Sequence, residues 1–232
     1  MADLIAVLIA ALSQLLGAGG DAALLGERMT DLLLESRPVP MAGAQVMAEG
    51  VTAGGVELLA MEFTDLLLEP LEIDETAIEV HGISVSTSGV GLDGLRFTAK
   101  IGQDDLTEAL HQHTQALSDA KLRITKQALE LSGTYPLLGL RLPYRVAGTL
   151  SVQDDTQLVF NIDSSGMGAV RSPAALNRLI EREINPVYDL AEFAARSKED
   201  IANAREQLDY EFKLEVATIS LDEGHIIVAG KA

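Results

Sequence analysis

Leu138 to Val152 reads LGLRLPYRVAGTLSV. Leu138, Leu140, Leu142, Tyr144, Val146, Leu150 and Val152 all fall on even positions, with Gly148 between them. The odd positions carry Arg141, Arg145, Thr149 and Ser151. An apolar period of two is the pattern of a strand with one buried face. At ~3.3 Å per residue such a strand spans ~50 Å, whereas ordinary strands have about five or six residues. Asp154-Asp155 turns the chain, and Leu158, Phe160 and Ile162 carry the pattern back.

Downstream, Ser172-Pro173 opens a helix with Pro at its first position. Its stripe is Leu176, Ile180, Ile184, Val187, Leu190 and Ala194, with Ile201 and Leu208 further on. A single helix over 173–208 is also ~50 Å long at 1.5 Å per residue, and Asn185-Pro186 is expected to kink or break it. Phe212, Leu214 and Val216 then alternate, the phase slips near Ala217 to Ile219, and Glu223-Gly224 turns into a last strand from His225.

Upstream, Lys121–Lys126 and Ala128–Ser132 read as a hairpin. Asp104 caps a helix from Asp105 to about Ser118, with Leu106, Leu110 and Leu117 as its stripe. Leu95, Phe97, Ala99 and Ile101 alternate. Ile78 and Val80 share one face, then Ile83 and Val85 share one. This slip at Gly82 predicts a β-bulge. Val56–Glu69 is apolar on both faces and reads as a strand, with a helix as the alternative. Asp21 caps a helix from Ala22 to Glu35 with Leu24, Leu25, Met29, Leu32 and Leu33 as its stripe. Before it, Leu4–Leu16 is an apolar helical segment of thirteen residues, too short to span a bilayer and read as a buried core helix rather than an interfacial one.

Of 232 residues, 47% are hydrophobic but only 4% aromatic, with no Trp, so the core is built from slender aliphatic side chains. There is no Cys, which excludes disulfides and thiolate metal sites. A net charge of −18 argues against nucleic acid as a partner. The charge is uneven: Lys121, Arg123, Lys126, Arg141 and Arg145 face Glu130 alone across 121–145. That stretch could meet a phosphate headgroup, although an ordinary solvated strand face explains it as well.

No catalytic or metal chemistry stands out. His111 and His113 are two residues apart on a helix and point about 200° from each other, so they cannot share an ion. Asp104-Asp105 suits a helix start, and Asp154-Asp155 and Asp222-Glu223 suit turns. Phosphate-loop, dinucleotide and nucleophile-elbow patterns do not occur. The expected cofactor and metal are none, and the chain is read as a non-enzyme.

A ~50 Å strand and a helix of matching length do not fit a ball of this size. The expected architecture is α+β: an elongated, strongly curved antiparallel β-sheet wrapped around a long C-terminal helix, with additional N-terminal helices. Residues 1–37 form those helices and 38–232 a single domain. The seam between helix and sheet becomes a groove for an acyl chain, gaining about 0.8 kcal/mol per buried CH₂. Its expected lining is Leu106, Leu110, Leu140, Leu142, Tyr144, Val146, Phe160, Ile180, Ile184 and Val187.

RFTAKIGQDDLTEALHQHTQAL (Arg96–Leu117) resembles the strand-then-helix segment of the LmeA-like phospholipid-binding family, part of the tubular lipid-binding (TULIP) superfamily. GISVSTSGVGLDGLRFTAKI resembles its preceding strands, INPVYDL (Ile184–Leu190) its Asn-Pro element, and LEVATISLDEGHIIVAGKA its final hairpin. The likeness covers roughly Val56 to Ala232. It implies a TULIP-like fold, a lipid or fatty-acyl ligand, no catalytic residues, transient membrane contact, and a role in lipid transfer or envelope lipid homeostasis. Two features depart from it. Family members usually carry an export signal or anchor, whereas this chain starts with an ambiguous apolar helix, so its own sequence suggests a cytoplasmic or membrane-peripheral place. SKEDIANAREQ (Ser197–Gln207) looks like an extension. The alternative function is a scaffold acting through protein–protein contacts.

Overall fold

The computed structural model describes residues 21–36, 39–68, 71–86, 89–113, 119–137, 140–167, 170–171, 174–185, 188–189 and 215–231. Two antiparallel sheets carry most of them. The first runs, in spatial order, β1 (Gly43–Glu49), β2 (Gly55–Leu68), β3 (Leu71–Ser86), β5 (Gly94–Gly102), β13 (His225–Lys231) and β12 (Glu215–Asp222), with the short β4 (Gly89–Gly91) on β3. The second runs β10 (Val170–Arg171), β9 (Gln157–Met167), β8 (Leu140–Gln153), β7 (Leu129–Leu137) and β6 (Lys121–Ile124), with β11 (Tyr188–Asp189) also on β9. The helices are α1 (Ala22–Ser36), α2 (Gln103–His113) and α3 (Ala174–Ile184). One buried apolar cluster runs through both sheets, from Met29 and Leu33 of α1 to Phe160 of β9 and Ile226 of β13.

The segment apolar on both faces is a strand, β2, and its pattern has a structural cause. Its buried residues are Val56, then Leu59, Met61 and Phe63, then Leu66. On β3 they are Leu71 and Ile73, then Thr76 and Val80, then Ile83. Burial therefore changes parity twice on each strand. The changes fall at Glu57 opposite Gly82 and at Asp65 opposite Asp74, where the ladder omits a pair, while the register stays constant from Val56↔Ile83 through Leu58↔His81 to Leu66↔Ile73. Asp65 and Gly82 both have left-handed backbone, with φ of 49° and 61°. The slip at Gly82 is thus a left-handed kink matched across the ladder, and not the inserted residue of the expected bulge. A true register shift does occur on β12, between Val216 and Thr218, where the sequence phase slips.

β8 forms as expected over 14 residues and keeps one phase. Tyr144, Val146 and Gly148 are buried on the even face, and β9 absorbs the single irregularity, a shift opposite Ala147 and Gly148. The β8–β9 turn carries Asp154 and Asp155 with φ of 51° and 63°, and the Thr156 N–H donates to the Gln153 carbonyl (3.3 Å). Two left-handed central residues are the type I′ geometry that hairpins favour. Gly148 is needed for packing: a Cβ there would lie 1.9 Å from the Asn161 carbonyl oxygen.

A single long C-terminal helix is not shown, and the break expected at Asn185-Pro186 is present. Within the described residues, α3 has 11 residues and ends at Ile184, and Tyr188 and Asp189 pair as strand with Leu158 and Gln157. A proline at 186 disfavours helix in the residue before it, and the side chain of Asn185 is engaged elsewhere. The expected continuation through Leu190, Ala194, Ile201 and Leu208 lies outside the described residues, as does the apolar Leu4–Leu16 segment. Asp21 caps α1 as expected, its carboxylate accepting from the Ala23 N–H (3.0 Å). Only part of the α1 stripe is covered: Leu25, Met29 and Leu33 are buried, while Leu24 and Leu32 are exposed.

Candidate functional site

The apolar face of the second sheet is roofed by α2 and α3. On α2, Leu106 and Leu110 lie one turn apart on the same side. Both ends of this helix are tied to the region around β6. The Gln103 side-chain carbonyl accepts from the Ile124 N–H (2.9 Å), and His111 Nε2 hydrogen-bonds the Ala120 carbonyl oxygen (2.7 Å). The turn before β13 joins the same corner: the Gly224 N–H donates to the Ile124 carbonyl (3.1 Å), and the Gln103 N–H donates to the Gly224 carbonyl (2.9 Å).

α3 is held by polar groups along the open edge of β9. Asn185 Oδ1 accepts from the Phe160 N–H (2.7 Å), and its Nδ2 donates to the Phe160 carbonyl (2.9 Å). The amide thus stands in for a neighbouring strand. One turn earlier, Glu181 Oε1 accepts from the Ile162 N–H (3.3 Å). This places Ile184 over Phe160, with Ile180 fully buried beside them in the core.

Between these elements lies a cavity of about 30 Å³, lined by Leu106 and Leu110 of α2, Leu122 of β6, Leu129 and Leu131 of β7, Leu150 of β8, Phe160 of β9, Ile184 of α3 and Ile226 of β13. Every lining side chain is hydrocarbon. The volume admits about one or two water-sized spheres, yet nothing there would hydrogen-bond a water.

Four of the ten residues expected in the groove meet here: Leu106, Leu110, Phe160 and Ile184. Tyr144, Val146 and Ile180 are buried in the surrounding core without lining the cavity, and Leu142 is half-buried. Leu140 is 64% exposed, away from the seam. Val187 lies outside the described residues. Leu122, Leu129, Leu131, Leu150 and Ile226 complete the lining and were missing from the expected set. Leu150 shares the even face of β8 and was within reach of the sequence pattern. Ile226 was not, because only the fold brings β13 against the second sheet.

Tyr144 sits beneath Gly133, where a Cβ would lie 3.0 Å from its hydroxyl. That hydroxyl is buried without a hydrogen-bond partner, and burial pushes its pKa up. Among the described residues no three His, Asp or Glu side chains gather as a metal site, and no helix is long and apolar enough to cross a membrane. No curated protein and no solved structure matches the chain. The model of one family spans residues 42–231, and the chain belongs to that family, the LmeA-like phospholipid-binding proteins.

Proposed function

We propose that this protein binds a phospholipid through its acyl chain in the seam between α2, α3 and the second sheet, and that it serves lipid transfer or envelope lipid homeostasis without catalysing a reaction. One domain, 38–232, carries the site, and the N-terminal helices extend it. The observation behind this reading is the convergence of nine hydrocarbon side chains, from both helices and both sheets, on one cavity with no polar lining. Family membership supports the ligand class.

The cavity is far smaller than the ~300–1,000 Å³ of a ligand-sized pocket, so binding requires α2 or α3 to move away from the sheet. Each methylene admitted gains about 0.8 kcal/mol, which offsets the packing given up. Purified protein extracted with organic solvent should yield phospholipid by mass spectrometry, and emptied protein should take up a fluorescent fatty acid. Protein that is always empty and takes up neither fatty acid nor phospholipid would sink the proposal. The small volume favours a second reading in that event: a filled seam in a scaffold that works through protein contacts, detectable as a stable partner in a pull-down.

A further inference from the structure

The second sheet has a second face, and its chemistry is the opposite of the seam. The register aligns Lys121 of β6 with Ser132 of β7, and Ser132 with Arg145 of β8. Arg123 pairs with Glu130 one step along. Paired residues share a face, so Lys121, Arg123 and Arg145 project together, with Lys121 and Arg145 about 10 Å apart across two strand spacings. All three are exposed. None makes an ion pair with another described residue, in a chain with 35 acids against 17 Lys and Arg.

This face is hollow. Two adjoining depressions of about 720 and 490 Å³ share Glu130, Ser132 and Arg145. Glu130 lines both depressions beside the cations, and Glu223 lines the far end of the second. At the other end Arg141, on the same face of β8, lies beside Asp119, whose carboxylate is held below its ordinary pKa first by the Thr134 hydroxyl and more weakly by Arg141.

We infer that this face docks the protein on an anionic phospholipid membrane, with Lys121, Arg123 and Arg145 meeting headgroup phosphates. Uncompensated cations on a concave face match phosphate in charge. The net charge of −18 does not prevent this, because at physiological salt charges more than about 8 Å from the surface are largely screened. The cations are separated from the seam by the sheet itself, so this surface is distinct from the acyl site proposed above and does not rest on it.

The test is co-sedimentation of the full chain with vesicles of phosphatidylcholine alone or mixed with phosphatidylglycerol. Binding is expected only to the mixed vesicles, weakening as salt rises. Each cation contributes about fivefold in partition, so the triple variant Lys121→Glu, Arg123→Glu, Arg145→Glu should bind more than about a hundredfold more weakly. The milder Glu130→Gln should bind severalfold more tightly, and it decides the matter if the triple variant does not fold. Fluorescent fatty-acid uptake should be the same in all folded variants, so failure of docking and failure of the seam proposal are told apart. Wild-type protein that ignores phosphatidylglycerol, binds both vesicle types equally, or is unaffected by Glu130→Gln and by the triple reversal would overturn the inference.

Discussion

The two long hairpins of this molecule, β2–β3 and β8–β9, solve the same problem in different ways. Both are long, and each must bury one face. β2 and β3 reverse parity together at two points, so residues from alternating phases turn inward and bury Leu59, Phe63 and Leu66 to 1% exposure or less. β8 keeps a single phase without a left-handed residue, and a void remains where its Leu150 meets two short helices. A hairpin that reverses phase can follow its core closely, whereas one that keeps a single phase depends on its covering helices to fill the gap. The difference predicts that the first sheet is the rigid part and the seam the yielding one.

The largest effect should come from hollowing the filled half. Phe63→Ala is expected to cost about 3–5 kcal/mol in denaturant unfolding and to leave ligand uptake by the folded fraction unchanged. Leu110→Ala, at a half-buried seam position, should cost less than half as much, because its site already borders a void. Equal costs at the two positions would break the contrast. Next comes the tie between α3 and β9. Asn185→Ala strips partners from both the N–H and the carbonyl of Phe160, which should cost about 2–3 kcal/mol. Amide exchange at Phe160 should quicken selectively. If exchange there stays at its wild-type rate, α3 is held by its apolar face alone.

A third change sharpens the comparison without much loss of stability. Leu110→Phe adds volume into the seam and should alter stability by no more than about 1–3 kcal/mol while reducing fatty-acid uptake. An overfilled seam that still loads ligand at the wild-type level would place the site elsewhere.

How much of this could be read from the chain follows from the same contrast. β8 was legible over all of its described residues but the last, Gln153, because one unbroken phase needs no knowledge of its neighbours. β2 was ambiguous because its phase reversals depend on residues across the ladder: Glu57 is paired in irregularity with Gly82, and Asp65 with Asp74. Gly82 announced itself as a glycine. Asp65, a non-glycine at positive φ, did not. At the site, the stripes of α2 and α3 pointed to Leu106, Leu110 and Ile184, but β8 contributes Leu150 where the pattern favoured its first half. Leu140 shows why: a regular stripe says which side of the strand is apolar, and only the extent of the covering helices says where that side stops being covered. The Asn-Pro element was visible as a resemblance, yet the bidentate grip of Asn185 on Phe160 belongs to residues 25 apart and carries no local signal.

The smallest expected effect probes the polar rim of the yielding half. Asp119 accepts from both the N–H and the hydroxyl of Thr134, and the hydroxyl, followed by the N–H, holds its carboxyl below the ordinary value of 3.8. A carboxylate whose pKa is lower in the folded than in the unfolded chain binds fewer protons when folded. Its contribution is therefore fully present above 3.8 and is lost as pH falls through the folded value. Because Asp119 is exposed, solvent screens much of the interaction, and Asp119→Asn should cost no more than about 1 kcal/mol at neutral pH. Unfolding curves for the two proteins should draw together as pH is lowered past the ordinary carboxylate range. A gap that stays constant down to strong acid would mean that the amide of the Asp119→Asn variant fails for reasons of packing, and that charge plays no part in fastening the start of β6 to β7.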